Sequence, residues 1–371
     1  MLQHIKQKKF YKNYNLKRRR KKSNYPAIRK FVIAFFVLAI LGGFGMVYEL
    51  YSRVYQPNIV LPNDASEKYI YIPTAADFSD VVKVLSENGL LINANSFKWV
   101  ANRKNYTQNI KPGRYFINRE LNNNELINLL RSGEQVPVKV TFNNLRTKGA
   151  LAGKVSAQME ADSIAIMEHL NDTAFLLETG LNTNNVTSLF IPNTYEFYWN
   201  TSAKEFLERM QKEYNKFWNK ERLKKAARIG LTKFEVSSLA SIVEMESYKK
   251  DERPIIARLY LNRLKKRMKL QSDPTIIFAI GNFSIRRVLT KDLKIDSPYN
   301  TYLHKGLPPG PICIPSINAI DAVLNASKND YLFMCAKEDF SGYHNFAKTA
   351  REHSKNARKY RRALNKRKIM R

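Results

Sequence analysis

Cysteine is nearly absent from this 371-residue sequence: Cys313 and Cys335 stand alone, with no CxxC and no framework spacing. That excludes a disulfide scaffold and a cysteine-held zinc site, and nothing in the sequence requires a bridge between the two. Metal chemistry lacks material elsewhere too. There is no HExxH, and His304, His344 and His353 have no companions that make a ligand set. GxSxG, Walker A and GxGxxG patterns are missing, which removes the hydrolase-elbow, P-loop and dinucleotide readings. Acid is missing from residues 1–30, where Lys and Arg number twelve, among them the run Lys17 to Lys22. From Lys348 to Arg371 eleven more bases face one acid, Glu352. Most of the net charge of +31 therefore sits at the two ends. A basic chain invites a nucleic-acid partner. Charge gathered in tails, without a helix-turn-helix, RNP or zinc-finger pattern, points to no nucleic acid.

What is present begins with one long apolar run. Phe31 to Tyr48, "FVIAFFVLAILGGFGMVY", carries no charge. As a helix it spans roughly 27 Å, close to the thickness of a bilayer's hydrocarbon core. A cleaved signal peptide is the alternative, with Gly43-Phe44-Gly45 as a weak cleavage site, but the run exceeds a usual signal core. A retained single-pass anchor is the expectation. The basic flank then places residues 1–30 in the cytoplasm and everything after Tyr48 outside.

Beyond the anchor, residues 49–142 read as a small α/β module. "KYIYIP" alternates as a strand, "DFSDVVKVLSENGLL" has helical spacing up to Asn88-Gly89, and "NSFKWVANRK" and "NNNELINLLRSGE" read as further helices. "KPGRYFI" and "VPVKVTF" read as strands, the second closing the unit. Residues 143–235 read as a mostly helical connection, broken by the aromatic stretch "LFIPNTYEFYWN". Residues 236–360 hold the unusual motifs, and 361–371 form a basic tail. The expected fold class is α+β.

The chemistry concentrates around "VEMESYKKDERP", Val243 to Pro254. At 100° per residue, Val236, Leu239, Ala240, Ile242 and Val243 form one apolar stripe of a helix, and Glu246 falls inside it. Glu244 lies about 160° away, near Ser237 on the margin. A carboxyl aimed into an apolar setting holds its proton, as a general acid must near neutrality. The plainer reading is that the helix ends there and Glu246 emerges at its rim beside a Lys or Arg. Glu252 is expected to pair with Arg253 or Arg263 in a structural network. Downstream, "MKLQSDPT", "DSPYNTYLHKGLPPGPI" and "GYHNF" place amides, hydroxyls and aromatics in Pro-rich turns, a composition suited to sugar rings.

These motifs carry a resemblance. "LASIVEMES", "ERPIIARLYLNRLKKRMKLQSDPT", "SPYNTYLHKGLPPGPI" and "GYHNFAKTAREHSKN" together resemble the endolytic murein transglycosylases of the MltG (YceG-like) family, from Leu239 to about Tyr360. Residues 49–230 match more loosely, through layout and "FIPNTYEFYW". The resemblance implies a single-pass protein of the inner (cytoplasmic) membrane with a LysM-like module and an extracytoplasmic catalytic domain. It implies cleavage of the β-1,4 bond between N-acetylmuramic acid and N-acetylglucosamine in nascent glycan strands. The product carries a 1,6-anhydro end, and no cofactor or metal is involved. By motif position Glu246 is the catalytic acid, and Gln271, Asp273, Tyr299, Asn300, Tyr302 and Asn345 line the cleft or hold the acid. One carboxyl serves this reaction, unlike the paired carboxylates of ordinary glycosidases. Wall-synthesis enzymes are partners by resemblance only. Two other classes stay open: a wall-binding scaffold without turnover, and a hydrolytic muramidase using Asp273 as a second acid.

Overall fold

The structure, a computed structural model, describes residues 25–61, 67–117 and 120–367. The basic block before residue 25 and the last four residues of the tail lie outside the described residues.

The apolar run forms part of a longer helix, α1 (Tyr25–Tyr55), of 31 residues. Its length is about 47 Å at 1.5 Å per residue, well beyond a ~30 Å hydrocarbon layer. Phe31, Phe35, Leu38 and Phe44 are all more than two-thirds exposed. This is one helix long and apolar enough to cross a membrane. Its last turns pack instead on the unit that follows, where Arg53 lies 5.8 Å from the Trp99 ring and Asn123 Nδ2 donates to the Arg53 carbonyl over 2.8 Å.

That unit runs β1 (Pro57–Ile59), β2 (Lys68–Ile72), α2 (Phe78–Glu87), α3 (Ala94–Arg103), β3 (Gly113–Ile117), β4 (Leu121–Asn122) and α4 (Asn123–Ser132). Side-chain caps start each helix: Asp77, Asn93 and Asn122 each accept a main-chain N–H of the first turn. β2 pairs antiparallel with β3, and β1 with β4. Ile70, Ile72, Leu85, Phe97 and Tyr115 close a core of their own.

β5 (Val138–Phe142) is the strand expected to complete this unit, and it does not. It pairs antiparallel with β6 (Asn193–Phe197), the aromatic stretch, and Val140 and Phe142 pack in the second core. Alternation explains the choice, since β5 has one buried face and β6 offers Tyr195 and Phe197 to cover it. Between and after them come α5 (Lys148–Ser156), α6 (Ser163–Asn171), α7 (Thr173–Thr179), α8 (Ala203–Phe217) and α9 (Lys220–Arg228). The last part is α10 (Lys233–Glu246), α11 (Arg253–Lys265), α12 (Asp273–Ile280), α13 (Ile317–Leu324), the antiparallel hairpin of β7 (Phe333–Ala336) and β8 (His344–Ala347), and α14 (Ala350–Lys366). One continuous core joins residues 138–324. The fold is α+β, as expected.

α10 is its axis. A capping box of Thr232 and Glu235 starts it, and every residue from Val236 to Val243 is buried, the serines included. The one-sided stripe read from spacing is thus too narrow. Ser241 explains how polar residues fit there: its hydroxyl receives the Ile312 N–H and donates to the Ser238 carbonyl. The Pro-rich loop is interior at Pro308, Gly310 and Pro311, with Pro309 exposed. A Cβ on Gly310 would meet the Asn184 carbonyl oxygen at 2.0 Å, so this backbone crossing needs glycine. Leu307 of this loop packs against the second core.

Candidate active site

Helix α10 ends at Glu246 because Ser247 turns extended, and the carboxyl emerges half-buried among three other elements. The Tyr260 hydroxyl on α11 donates to Glu246 Oε1 over 2.8 Å. The Ser272 hydroxyl, just before α12, donates to the same oxygen over 2.5 Å. Both donors are themselves buried, Tyr260 to 2% exposure and Ser272 to 0%. Among the described residues Oε2 has no hydrogen-bond partner. Glu246 belongs to the wall of a cleft of about 250 Å³, with Tyr260, Arg263, Gln271, Asp273, Tyr302, the β7 strand and His344 around it.

Burial is the largest influence on this carboxyl and raises its pKa above the ordinary value. The Ser272 and Tyr260 hydrogen bonds pull it down, the Asp273 charge pushes it up, and His344, in its protonated form, opposes that. Among the described carboxyls with a resolved shift, Glu246 is the one raised. Two hydroxyls donating to Oε1 also decide where an acidic proton sits. It belongs on Oε2, the oxygen left without a donor, on a residue that lines the cleft. A perturbed acid with its proton directed into a cleft is the signature of a general acid.

The surrounding groups are held firmly. Arg263 donates to the carbonyls of Leu270 and Leu332 over 2.8 and 2.6 Å, and to Gln271 Oε1 over 3.3 Å. It thereby ties α11 to β7 and to the turn where Gln271 adopts a left-handed φ of 52°. Thr301 Oγ1 accepts the Ser272 N–H over 3.0 Å and fixes the serine from behind. Tyr302 donates to Asp273 Oδ1 over 2.5 Å, and burial raises its phenol pKa.

Of the residues expected in the site, Glu246, Gln271, Asp273 and Tyr302 come together at the cleft. Three others are placed elsewhere. Asn300 is fully buried, its amide donating to the Leu293 and Ile295 carbonyls and its oxygen receiving the Tyr302 and Leu303 N–H groups. Tyr299 packs on Phe278 at 4.7 Å and reaches the Asn184 carbonyl. Asn345 follows His344 on β8, so strand alternation turns it to the other face, where it donates to Glu338 over 2.7 Å.

Sequence reasoning missed Tyr260 and Ser272 as partners of the acid, and it missed the pairing of Glu252. Glu252 pairs with neither Arg253 nor Arg263. Its Oε1 receives the His344 main-chain N–H over 2.7 Å, and its Oε2 lies 2.9 Å from His344 Nδ1. Arg253 turns instead to Glu244, Ser316 and Asn318, while Arg263 is occupied by carbonyls. Both cysteines are free.

The model of the YceG-like family matches residues 70–359, the span that contains every cleft residue named above. The chain belongs to the YceG-like family. This YceG-like chain is 31% identical to the endolytic murein transglycosylase of Bacillus subtilis, over 78% of its own length and 84% of the relative's. It is 31% identical to the endolytic murein transglycosylase of Streptococcus pneumoniae serotype 2, over 89% of its length and 65% of that longer protein. A crystal structure of a YceG-like protein from Listeria monocytogenes superimposes with a TM-score of 0.53 at 27% identity, covering 78% of this chain and 98% of that one.

Proposed function

We propose that this chain is a membrane-anchored lytic transglycosylase that cuts the β-1,4 bond between N-acetylmuramic acid and N-acetylglucosamine within nascent peptidoglycan strands. The observation that carries the reading is Glu246, a cleft-lining carboxyl with raised pKa whose two hydroxyl donors both take Oε1 and leave Oε2 bare. The relatives' shared name, endolytic murein transglycosylase, supports the substrate class.

In this mechanism Glu246 Oε2 gives its proton to the glycosidic oxygen as the bond from C1 breaks. The same sugar's C6 hydroxyl attacks C1 and loses its proton, so the product ends in a 1,6-anhydro ring and no water is consumed. The carboxylate regains the proton and the acid is reset. Tyr260 and Ser272 steady the carboxylate through its charged stage, since hydrogen bonds to a charged group are the stronger ones. Gln271, Asp273 and Tyr302 contact the sugars. Helix α1 holds the protein in the cytoplasmic membrane with the basic N-terminus inside and the catalytic part outside. The small unit after it, LysM-like by family resemblance, guides the strand, and wall-synthesis enzymes supply it.

The test is the full-length chain in neutral detergent, wild type and Glu246→Gln, incubated with uncrosslinked glycan strands, with product masses read by mass spectrometry. The expected result is anhydro ends from the wild type and at least a ~100-fold loss in the variant, the low end of a general acid's contribution. Reducing ends would mean hydrolysis with Asp273 as the second acid. No product from either protein would leave a binding scaffold as the better reading.

A further inference from the structure

The cleft holds a second proton-handling unit that one-glutamate chemistry does not use. Glu252 is 4% exposed and sits at the start of α11, ninety-two positions from His344 on β8. Its carboxylate is met by three donors or ring atoms. Oε1 accepts the His344 N–H over 2.7 Å, and Oε2 faces His344 Nδ1 at 2.9 Å and accepts the Ser247 hydroxyl over 3.2 Å. The Ser247 oxygen itself receives the Lys249 N–H, which leaves its hydroxyl hydrogen for Glu252. A carboxylate only accepts, so it keeps the hydrogen of the neutral ring on Nδ1. Nε2 then carries the lone pair. His344 lines the same cleft as Glu246, and among the described residues none hydrogen-bonds its Nε2, which leaves that lone pair free.

We propose that His344 Nε2 is the first acceptor of the C6 hydroxyl proton, with Glu252 as its positioning residue; this rests on the lyase reading of the cleft. Glu246 Oε2 protonates the leaving oxygen as the C1–O bond breaks. O6 bonds to C1, and its hydrogen passes to Nε2. The imidazolium then returns one proton to the Glu246 carboxylate across the cleft, which resets both groups without water or any change of oxidation state. A carboxyl that has just lost its proton on the leaving-group side then has no need to reach O6 in the same event. The orientation follows the logic by which a buried carboxylate fixes a catalytic histidine's tautomer in hydrolase triads.

Glu252→Gln tests it. The glutamine carbonyl must still accept the His344 N–H, so its amide faces Nδ1 and donates to it, which moves the ring hydrogen to Nε2. Full-length protein with 15N-labelled histidine, in neutral detergent, reports the tautomer by NMR, and His344→Gln assigns the signal among the five histidines. The wild type should show hydrogen on Nδ1 and the variant on Nε2. For anhydro-end formation, kcat should fall roughly 10²–10⁴-fold in Glu252→Gln, the usual contribution of a general base, with KM within about twofold. Imidazole added to His344→Ala should restore part of the rate. A wild-type ring with hydrogen on Nε2, a switched tautomer with unchanged kcat, or no imidazole rescue would each overturn the proposal. A wild type that releases no anhydro ends while its ring carries hydrogen on Nδ1 overturns the lyase reading itself, and the proposal with it.

Discussion

Tyr260 and Glu246, fourteen residues apart on consecutive helices, meet through a 2.8 Å hydrogen bond whose donor is almost wholly out of solvent. The phenol stabilises the charged carboxylate, and the carboxylate in turn raises the phenol's own pKa beyond what burial does. Tyr260→Phe removes that support and pushes the Glu246 pKa further up. The acid then stays protonated to higher pH, so the alkaline limb of the pH–rate profile moves upward. The peak rate should drop roughly tenfold, the worth of one hydrogen bond to a charged group. A pH profile of anhydro-end release, wild type against variant, checks both the sign and the size.

Glu246 also writes itself into stability. Its folded pKa lies above the unfolded one, so the folded state resists losing the proton. Below the unfolded value both states are protonated and the residue has no effect of this kind. As pH rises from there toward the folded pKa, the unfolded chain releases its proton first and the wild type loses relative stability. Glu246→Gln has no such loss. The melting temperature of the variant should therefore gain on the wild type progressively from about pH 4.5 upward, as thermal scans across pH would show. A gap that stays constant with pH would contradict the burial argument.

Glu244 has a different office from its neighbour. It receives Arg253 over 3.3 Å and the Ser316 N–H over 2.6 Å, joining α10 to the start of α13. Arg253 and Glu244 are both largely buried. Arg253→Met should destabilise the fold by roughly 3–5 kcal/mol, because it strands a buried carboxylate. Urea denaturation measures that. Glu244→Gln, by contrast, should retain anhydro-end formation per folded molecule, while Glu246→Gln does not.

The two thiols should separate cleanly. Cys313 is 1% exposed and burial pushes its pKa well up, so it should ignore N-ethylmaleimide in the folded protein. Cys335 is half-buried on the cleft wall, with a pKa raised by burial and by Glu338. Its side chain shares the hairpin face of its strand partner Asn345, away from His344, so one equivalent of reagent should add, at Cys335, faster at pH 9 than at pH 7, with activity retained. Peptide mapping locates the adduct. Loss of activity on labelling Cys335 would contradict that placement of its side chain.

How much of this was legible beforehand depends on the range of each interaction. The apolar run at 31–48 is a local signal, and it predicted a helix. What it did not give is the helix's continuation to Tyr55, which depends on Asn123 and Trp99 packing against its end. Glu246 was legible because one helical turn suffices to align it with Val243 and Ile242. Its partners were not, since Tyr260 and Ser272 converge on Oε1 from two other elements. Asn300 and Asn345 show the opposite failure. Polar residues in sugar-friendly motifs look like ligand contacts, yet one satisfies main-chain carbonyls inside a turn and the other faces away by strand alternation. Glu252 and His344 lie too far apart in sequence for spacing to pair them.

Because α1 continues without interruption into contacts with the Trp99 helix and Asn123, a bilayer that holds α1 would be joined to that unit by a lever rather than a swivel. Membrane-spanning helices lean by about 20° on average, and lipid thickness alters that lean. Here a change of lean would swing the attached unit through the same angle, so bilayer thickness becomes a mechanical input to where the enzyme meets its polymer.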